Sequence, residues 1–269
     1  MEPGNGAEAA LAPSSSSCSS TGCSATADNL LYKVYYLARD GLPVIPCIKT
    51  SRVKTVRNTL QKIQSLYPLS AEALDLFTGH LEQVSLPKGH QLFREGRTGS
   101  QLFLIEKGIA RAFSVRDNKE ITYWFGSEGD VAISYFSYYA NKPGYETVEL
   151  LEDSVLYCIS QENLQDLYST NIEIANWGRK LAEYELIRTE QAFVVQQSLP
   201  AAVRYQQLLD HNPQLIRRVQ LGYIASYLGV TQVTLSRIRA GNKSSSLNSS
   251  ATALPASFSE PASALSAML

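Results

Sequence analysis

The chain has 269 residues, of which 44% are hydrophobic and 18% are charged, and its formal net charge is −1. This length accommodates about two domains, while the near-neutral charge excludes a uniformly cationic coat for nucleic acid or membranes, so any basic patch has to be local. No run of eighteen apolar residues occurs, which excludes a transmembrane helix.

Cysteine usage and the first residues indicate the compartment. The four cysteines, Cys18, Cys23, Cys47 and Cys158, are too few and too dispersed for a disulfide framework. No basic residue precedes Lys33, so a secretory signal is not expected. We therefore predict a cytoplasmic protein.

Both ends of the chain have low-complexity composition. Residues 14–24 contain seven serines and no charge, and residues 244–269 are rich in serine and alanine with Glu260 as their one charged residue. Such segments bury too little apolar surface to offset the entropy lost on ordering. We predict that residues 1–55 are a disordered extension and that residues 244–269 are a disordered tail.

The folded part is predicted to begin with a helix and to continue as short strands. Ser70 is a suitable N-cap for a helix in which Leu74, Phe77 and Leu81 share one face. The period then changes to two, between turn residues, over seven segments: 84–86, 91–94, 102–106, 109–115, 121–125, 147–151 and 155–159. Several short strands at this spacing predict an all-β barrel or sandwich, which we assign to residues 56–167.

Helical spacing returns over residues 168–198. Positions three and four apart carry the seam Ile174, Trp177, Leu181, Tyr184, Arg188, Gln191 and Val195. This pattern over about three heptads is typical of a coiled coil. Either one amphipathic helix covers its own barrel, or two copies of the helix form a dimer. The dimer is the favoured interpretation because the chain has little else to cover such a seam.

A helix-turn-helix pattern follows. Ala225 is small enough for two short helices to cross closely, and Gly229 can take the positive φ that ends the first helix. Val230 is placed to fill the angle between the helices, while Leu235 and Ile238 anchor the second one. The pattern predicts a helix-turn-helix domain at the C-terminal end of the folded part.

We assign the helix-turn-helix domain to residues 199–243. Its second helix would expose Gln232, Val233, Ser236 and Arg237. Arginine can bridge guanine O6 and N7, glutamine can pair with adenine, and valine can contact a thymine methyl group. The net charge is +5 over residues 201–243 and −4 over residues 84–166. This segregated charge favours nucleic-acid binding over a generic pair of packed helices.

The order of these parts, from Leu66 to Arg239, resembles the CRP/FNR family of bacterial transcription regulators. The resemblance is carried by Pro87-Lys88-Gly89, Leu92-Phe93, Glu95-Gly96, Leu102-Phe103-Leu104-Ile105, Gly108, Phe125, Gly129-Asp130, the long helix, Ile224 to Thr231 and Leu235 to Ile238. It implies an α+β protein with a cyclic-nucleotide-binding-like jelly roll, a dimerisation helix and a C-terminal helix-turn-helix. The DNA-binding residues would be Thr231, Gln232, Val233, Ser236, Arg237 and the neighbouring Arg239.

The resemblance also implies partners. These are double-stranded DNA, a second copy of the chain, RNA polymerase and a small-molecule effector of unknown identity. Family members often add a β-hairpin wing after the recognition helix, but here Gly241-Asn242 is expected to end that helix without a wing. The alternative is a ligand- or protein-binding regulatory module with no DNA role, which leaves the basic segment without a purpose.

The ligand pocket is where this chain departs from the family. Members that bind cyclic AMP hold it with a glycine-glutamate pair and an arginine-serine or arginine-threonine pair. The corresponding pocket residues here are Ile133, Ser134, Glu146 and Thr147. A carboxylate repels the phosphate that an arginine would hold, so no response to cyclic AMP is expected. The nearby aromatic residues Tyr135, Phe136, Tyr138 and Tyr139 are expected to fill the barrel.

Catalysis, metals and cofactors find no support in the sequence. The spacing of Cys18, Cys23 and Cys158 does not fit an iron–sulfur cluster. The only histidines, His80, His90 and His211, do not form the cluster that a metal-dependent jelly-roll enzyme needs, and an isolated histidine is a weak candidate for a haem ligand. We predict no catalytic residue, no metal site and no cofactor.

Overall fold

The computed structural model describes residues 36–37, 43–44 and 57–245, with side chains from 57 to 241. It divides into two units, Met1–Pro46 and Cys47–Leu269. In the first unit, strand β1 (Tyr36–Leu37) pairs antiparallel with β2 (Pro43–Val44), inside the segment that we predicted to be disordered. The remaining residues of that segment, and the tail beyond Ser245, lie outside the described residues.

The second unit contains helices before, within and after a set of eight strands. The strands are β3 (Glu82–Leu86), β4 (Gln91–Phe93), β5 (Gln101–Lys107), β6 (Ala110–Arg116), β7 (Lys119–Gly126), β8 (Val131–Ile133), β9 (Thr147–Leu150) and β10 (Ser154–Ser160). The helices are α1 (Arg57–Leu66), α2 (Ala71–Gly79), α3 (Tyr135–Ala140), α4 (Gln161–Thr170), α5 (Ile172–Ser198), α6 (Ala201–His211), α7 (Pro213–Arg218), α8 (Leu221–Tyr227) and α9 (Gln232–Ser245).

The eight strands form two antiparallel four-stranded sheets, in the orders β3-β10-β5-β8 and β4-β9-β6-β7. Alternate residues of both sheets meet in one apolar core: Phe93, Phe103, Ile105, Ala110, Ala112, Ala132, Val148, Leu150, Leu156 and Cys158. The predicted β-rich domain is confirmed in this jelly-roll-like form. Strand β8 is missing from the prediction because its three residues are all apolar and show no period of two.

The outer face of the sheet β3-β10-β5-β8 is covered by helices of the same chain. Leu102, Leu104 and Tyr157 of this sheet pack against α1, α2, α4 and α5, and the rings of Phe77 and Trp177 lie 4.7 Å apart. Ser70 caps α2, as predicted, by accepting a hydrogen bond from the Ala73 amide at 3.2 Å. The sheets are thereby closed off from solvent on the side where α5 lies.

This cover corrects the predicted dimer seam of α5. Ile174, Trp177 and Leu181 are fully buried against the sheets and helices of their own chain. Arg188 pairs with Asp130 at 3.0 Å rather than facing a second helix. The first half of the predicted seam is therefore an intrachain contact, because the apolar outer face of the sheet itself needed a covering helix.

The C-terminal helices share an apolar cluster with the sheets. Ile109, Phe125 and Leu151 from the strand region contact the core of α6 to α9. That helical core consists of Tyr205, Leu215, Val219, Ile224, Ala225, Leu228 and Leu235. The C-terminal helices are thus anchored on the strand region by burial of apolar surface.

The last helix runs further than the sequence predicts. Gly241-Asn242 was expected to end it, but α9 continues to Ser245. A glycine inside a helix costs about 1 kcal/mol relative to alanine and does not by itself end the helix. Whether a wing follows lies outside the described residues.

Candidate functional site

Helices α8 and α9 are joined by a turn of four residues, and the turn has the predicted geometry. Gly229 adopts φ +65°, and its amide donates to the Ser226 carbonyl at 3.0 Å. The Val230 amide donates to the Ala225 carbonyl at 2.9 Å, and Ala225 itself is buried. The backbone therefore reverses at the residue for which a positive φ costs least.

Helix α9 is fixed at its start and along one face. The Thr231 hydroxyl accepts a hydrogen bond from the Thr234 amide at 3.1 Å, which confirms Thr231 as the N-cap. Leu235 is fully buried in the cluster below and Ile238 is half-buried. The opposite face of α9 is consequently held towards solvent.

All six residues predicted to contact DNA are exposed: Thr231, Gln232, Val233, Ser236, Arg237 and Arg239. The Gln232 amide group lies against Gly222 of α8, where an added Cβ would collide with it. The isopropyl side chain of Val233 is 61% exposed and has no apolar cover. All six residues are thus accessible to solvent, on α9 and at its N-cap.

The basic segment is less free than its sequence suggests. Arg218 forms ion pairs with Glu128, at 2.7 Å, and with Glu152, both from the strand region. Arg204 donates hydrogen bonds to three carbonyl groups, including that of Leu228 at 2.6 Å. Within the part of the chain whose side chains are described, the exposed arginines of this segment without a partner are Arg217, Arg237 and Arg239.

Arg111 is a buried residue that sequence reasoning missed. Its guanidinium forms ion pairs with Glu120 and with Glu149, the latter at 3.3 Å. It also lies between the rings of Phe113, at 4.1 Å, and of Tyr223 on α8, at 3.7 Å. An arginine on the outer face of a strand ordinarily reaches solvent, but here the C-terminal helices cover it, and the sequence carries no sign of that cover.

Ser226 makes a second polar link between α8 and the sheet. Its hydroxyl donates to the Glu120 carbonyl at 2.7 Å and accepts from the Thr122 amide at 3.0 Å. Strand β7 is the last strand of its sheet, so one side of it has no neighbouring strand. One serine therefore satisfies edge groups that would otherwise be left unpaired.

The pairing of Arg218 with Glu128 predicts a specific acid sensitivity. Burial raises the pKa of Glu128, but the hydrogen bonds from Arg218 and from the Gly108 amide outweigh burial and lower this pKa from 4.5 to about 2. A lowered folded-state pKa adds stability above the unfolded value and loses it as the pH falls towards 2. Urea unfolding between pH 5 and pH 2 is expected to show a smaller loss of stability in Glu128→Gln than in the wild type.

The matched control is Glu72→Gln, which removes an exposed carboxylate from the first turn of α2. This variant should follow the wild-type dependence on pH. If Glu128→Gln and the wild type lose stability in parallel over this interval, the ion pair makes no contribution that depends on pH.

The predicted ligand pocket is only partly assembled. Ser134 and Glu146 are buried on either side of Gly144, where an added Cβ would lie 2.7 Å from Ser134 Oγ and 3.4 Å from Glu146 Oε1. Ile133 instead packs into the cluster under the helices, and Thr147 accepts a hydrogen bond from the Glu95 amide at 3.1 Å. Two of the four residues therefore share a site.

The carboxylate of Glu146 has no hydrogen-bond or ion-pair partner among the described residues. The residue is 6% exposed, and its Oε2 atom is buried without a hydrogen bond. The site therefore presents a buried carboxyl group and no cationic side chain that pairs with it. A carboxyl group accepts hydrogen bonds and attracts cations, so this site is not suited to an anion.

The aromatic residues of α3 do not fill the barrel, which corrects that expectation. Tyr135 and Phe136 are exposed, and Tyr139 is 92% exposed. Tyr138 alone of the four packs against the buried cluster under the helices. The short helix turns its other aromatic side chains outwards because Ser137 occupies its buried face.

Groups suited to metals are absent from the described residues. No cluster of three or more histidine, cysteine or acidic side chains occurs in that part of the chain. His80 and His211 each place Nδ1 2.8 Å from a carbonyl of their own helix, and burial lowers the pKa of His90. None of the helices in residues 57–245 combines the length and apolar character needed to span a bilayer.

Comparisons with known proteins agree with this architecture. Residues 83–171 match the family model described as "Cyclic nucleotide-binding domain". No curated protein matches the chain.

Several solved structures share the fold. FixK2 from Bradyrhizobium japonicum aligns at 17% identity over 64% of this chain and 89% of its own, with a TM-score of 0.54. The c-di-GMP responsive global regulator CLP from Xanthomonas campestris aligns at 18% identity over 68% and 96%, with a TM-score of 0.53. A protein from Eubacterium rectale described as a crp/fnr family transcriptional regulator aligns at 17% identity over 68% and 88%, with a TM-score of 0.53.

Proposed function

We propose that this chain, a cyclic nucleotide-binding domain joined to C-terminal helices on the fold shared with CRP/FNR transcription regulators, is itself a sequence-specific DNA-binding regulator. The observation that carries the proposal is the exposed face of α9, held outwards by the buried Leu235 and the Thr231 cap. A regulator of this kind acts as a cytoplasmic homodimer and is not an enzyme. RNA polymerase is the further partner that the assignment implies.

The exposed face of α9 has the composition of a recognition helix. Arg237 offers two parallel N–H donors to guanine, Gln232 offers an amide to adenine, and Val233 offers an apolar contact to a thymine methyl group. Arg217 and Arg239 lie on the same basic segment without a partner in the described structure and are available to phosphates. The face of α9 therefore offers side chains for contacts with the DNA bases, and the two arginines offer contacts with the DNA phosphates.

Arg237→Ala is expected to cost about 1–3 kcal/mol of operator binding and to relax the preference at one base position, because a bidentate contact to guanine is lost. The operator is first selected from a random DNA library with the purified full chain, and binding is then measured by fluorescence anisotropy at fixed salt. Arg94→Ala, which removes an exposed arginine of the strand region, is the control and should bind as the wild type. An unaltered base preference in Arg237→Ala would remove this residue from the interface.

A homodimer is supported by a second apolar row on α5. Leu186 and Phe193 are 70% and 64% exposed, and Ile187 and Val194 beside them are also exposed. These two pairs are seven residues apart, and at 3.6 residues per turn they lie about 180° around the helix from the buried Leu181. Helix α5 can therefore cover its own sheet with one face and pair with a second copy through the other.

A dimer of this kind places two α9 helices on one duplex. Related half-sites are expected about one helical turn apart, roughly 34 Å from centre to centre. The operator should then have approximate two-fold symmetry. A signal that changes the packing of the strand region against the C-terminal helices would alter the distance between the two recognition helices.

Cyclic AMP is not the proposed signal. Glu146 places a carboxylate where the cyclic phosphate would have to lie, and it has no cationic partner among the described residues. The pocket thus lacks the charge-assisted donors that a phosphate needs. Calorimetric titration with cyclic AMP is expected to give no heat beyond dilution, and binding at micromolar concentration would contradict the proposal.

The second candidate is a protein-binding regulatory module with no DNA role, and one observation favours it. Tyr139 is 92% exposed beside the exposed Tyr135 and Phe136, and aromatic side chains are enriched in protein interfaces. The DNA selection separates the two candidates. Enrichment of a defined sequence supports the regulator, whereas no enrichment supports the module.

A further inference from the structure

The Glu146 side chain lies buried just before strand β9. Strand β9 begins at the next residue, and its Val148 and Leu150 belong to the core between the sheets. Glu146 directly precedes this strand, is 6% exposed, and shares the surroundings of Gly144 with the buried Ser134. The carboxylate is therefore enclosed by the fold, at the sheet end nearest α3.

An ionised carboxylate without a partner is costly in such a place. Burying a charge without compensation costs several kcal/mol, and buried charges in folded proteins are ordinarily paired and hydrogen-bonded. No described side chain or backbone amide donates a hydrogen bond to Glu146. A bound group that brings hydrogen-bond donors would satisfy this carboxyl group.

The two serine hydroxyl groups that lie with Glu146 around Gly144 do not donate to it. Ser134 donates its hydrogen to Ser137 Oγ at 3.1 Å, and Ser137 donates its own to the Lys142 carbonyl at 2.9 Å. Both hydrogens are thereby used, so the capacity that remains on these oxygens is to accept. Glu146, Ser134 and Ser137 together form a set of acceptors around Gly144.

Two tyrosine side chains lie within electrostatic reach of the same carboxylate. Tyr123 is left unpaired at the β-bulge between β6 and β7, where Ala112 pairs with Trp124 and Phe113 pairs with Thr122. A bulge redirects a side chain, and burial, followed by the charge of Glu146, raises the pKa of the Tyr123 hydroxyl.

Tyr145 stands next to the carboxylate in sequence. Burial and then the charge of Glu146 raise the pKa of its hydroxyl as well, and its ring lies 6.1 Å from that of Phe136. Tyr123 and Tyr145 remain partly exposed, so the aromatic surface is open to an incoming group.

We propose that this Glu146 site binds an organic cation that carries N–H donors, a primary ammonium or a guanidinium group. The positive charge compensates Glu146, the N–H groups donate to the carboxylate and to the two serine hydroxyls, and the aromatic rings of Tyr123 and Tyr145 attract the cation. A phosphate is repelled by the same carboxylate. A metal ion would find too few ligands, since the described residues contain no cluster of three potential metal ligands here.

The test uses the full chain without DNA, so its result is independent of the proposed regulatory function. Methylguanidinium and n-butylammonium chloride are titrated by calorimetry at constant ionic strength. Tetramethylammonium chloride, which has the charge but no N–H group, is titrated in parallel. We expect saturable binding of the first two cations and at least tenfold weaker binding of tetramethylammonium.

The variant Glu146→Gln should weaken the binding of both N–H cations at least tenfold, while Glu162→Gln, which removes an exposed carboxylate from α4, should leave it unchanged. Glu146→Gln removes no existing hydrogen bond, so this variant should unfold at the wild-type temperature or above. A second variant, Tyr123→Ala, should bind both N–H cations at least threefold more weakly than the wild type. The proposal is overturned if neither cation binds, if Glu146→Gln binds them as the wild type does, or if tetramethylammonium binds equally well.

Discussion

The double variant Leu186→Glu and Phe193→Glu is expected to be monomeric and to bind the selected operator at least 100-fold more weakly than the wild type. Both side chains are largely exposed in the single chain, so their replacement leaves the core of the subunit intact. In a dimer, four added carboxylates would face one another beside the two copies of Glu190, and this repulsion opposes association. A monomer loses the second half-site and the high effective concentration that the first contact gives it.

Sedimentation velocity measures the oligomeric state, and fluorescence anisotropy measures operator binding at the same salt concentration. Ala192→Glu is the matched control, because it adds a carboxylate to an exposed position of α5 that lies about 120° around the helix from Leu186 and about 100° from Phe193. The control should remain dimeric. A wild-type chain that is monomeric at the concentrations that saturate the operator would show that this face has another occupant.

Arg111→Met is expected to lower the free energy of unfolding by about 3–5 kcal/mol, which is the cost of removing one partner from a buried ion pair. The guanidinium is fully buried, compensates Glu149 and stacks against Tyr223 of α8. Burial raises the pKa of Glu149, and Arg111 acts in the opposite direction. Without Arg111 that carboxylate resists ionisation further, so the loss of stability should grow as the pH rises above the ordinary value for glutamate.

Urea unfolding at pH 4 and pH 7 tests this expectation. Arg116→Met is the control on the same strand, because Arg116 pairs with Glu95 at a half-exposed position where such pairs contribute less than about 1 kcal/mol. Adding Glu149→Gln to Arg111→Met should recover part of the loss. Equal losses of stability in Arg111→Met and Arg116→Met would contradict this expectation. They would show that water reaches the Glu149 carboxylate when Arg111 is removed.

The sequence predicts the helices, strands and turns better than it predicts what packs against them. The period of two identifies most strands, and the small Ala225, the positive φ of Gly229 and the Thr231 cap identify the turn before α9, because each is a local property of the backbone. Strand β8 escapes detection because its residues are all apolar and do not alternate with polar ones. The helix α4 escapes because its buried leucines, Leu164 and Leu167, are too few to establish a period.

The errors concern what covers a face once it has formed. The spacing of Ile174, Trp177 and Leu181 correctly indicates a buried row, but no local pattern distinguishes a sheet of the same chain from a second helix. The burial of Arg111 and the links made by Ser226 depend on residues more than 100 positions away, such as Thr122 for Ser226. The sequence shows that Glu146 stands where related proteins have an arginine. That its carboxyl group has no hydrogen-bond partner is seen only in the folded structure.

The most direct test of the central claim is selection of DNA from a random library by the purified full chain, followed by sequencing of the bound fraction. The account predicts one enriched motif with two-fold symmetry and half-site centres roughly 34 Å apart, lost when Gln232 and Arg237 are both replaced by alanine. Recovery of random sequence by the wild type, or of the same motif by the double alanine variant, would contradict the assignment of α9 as a recognition helix.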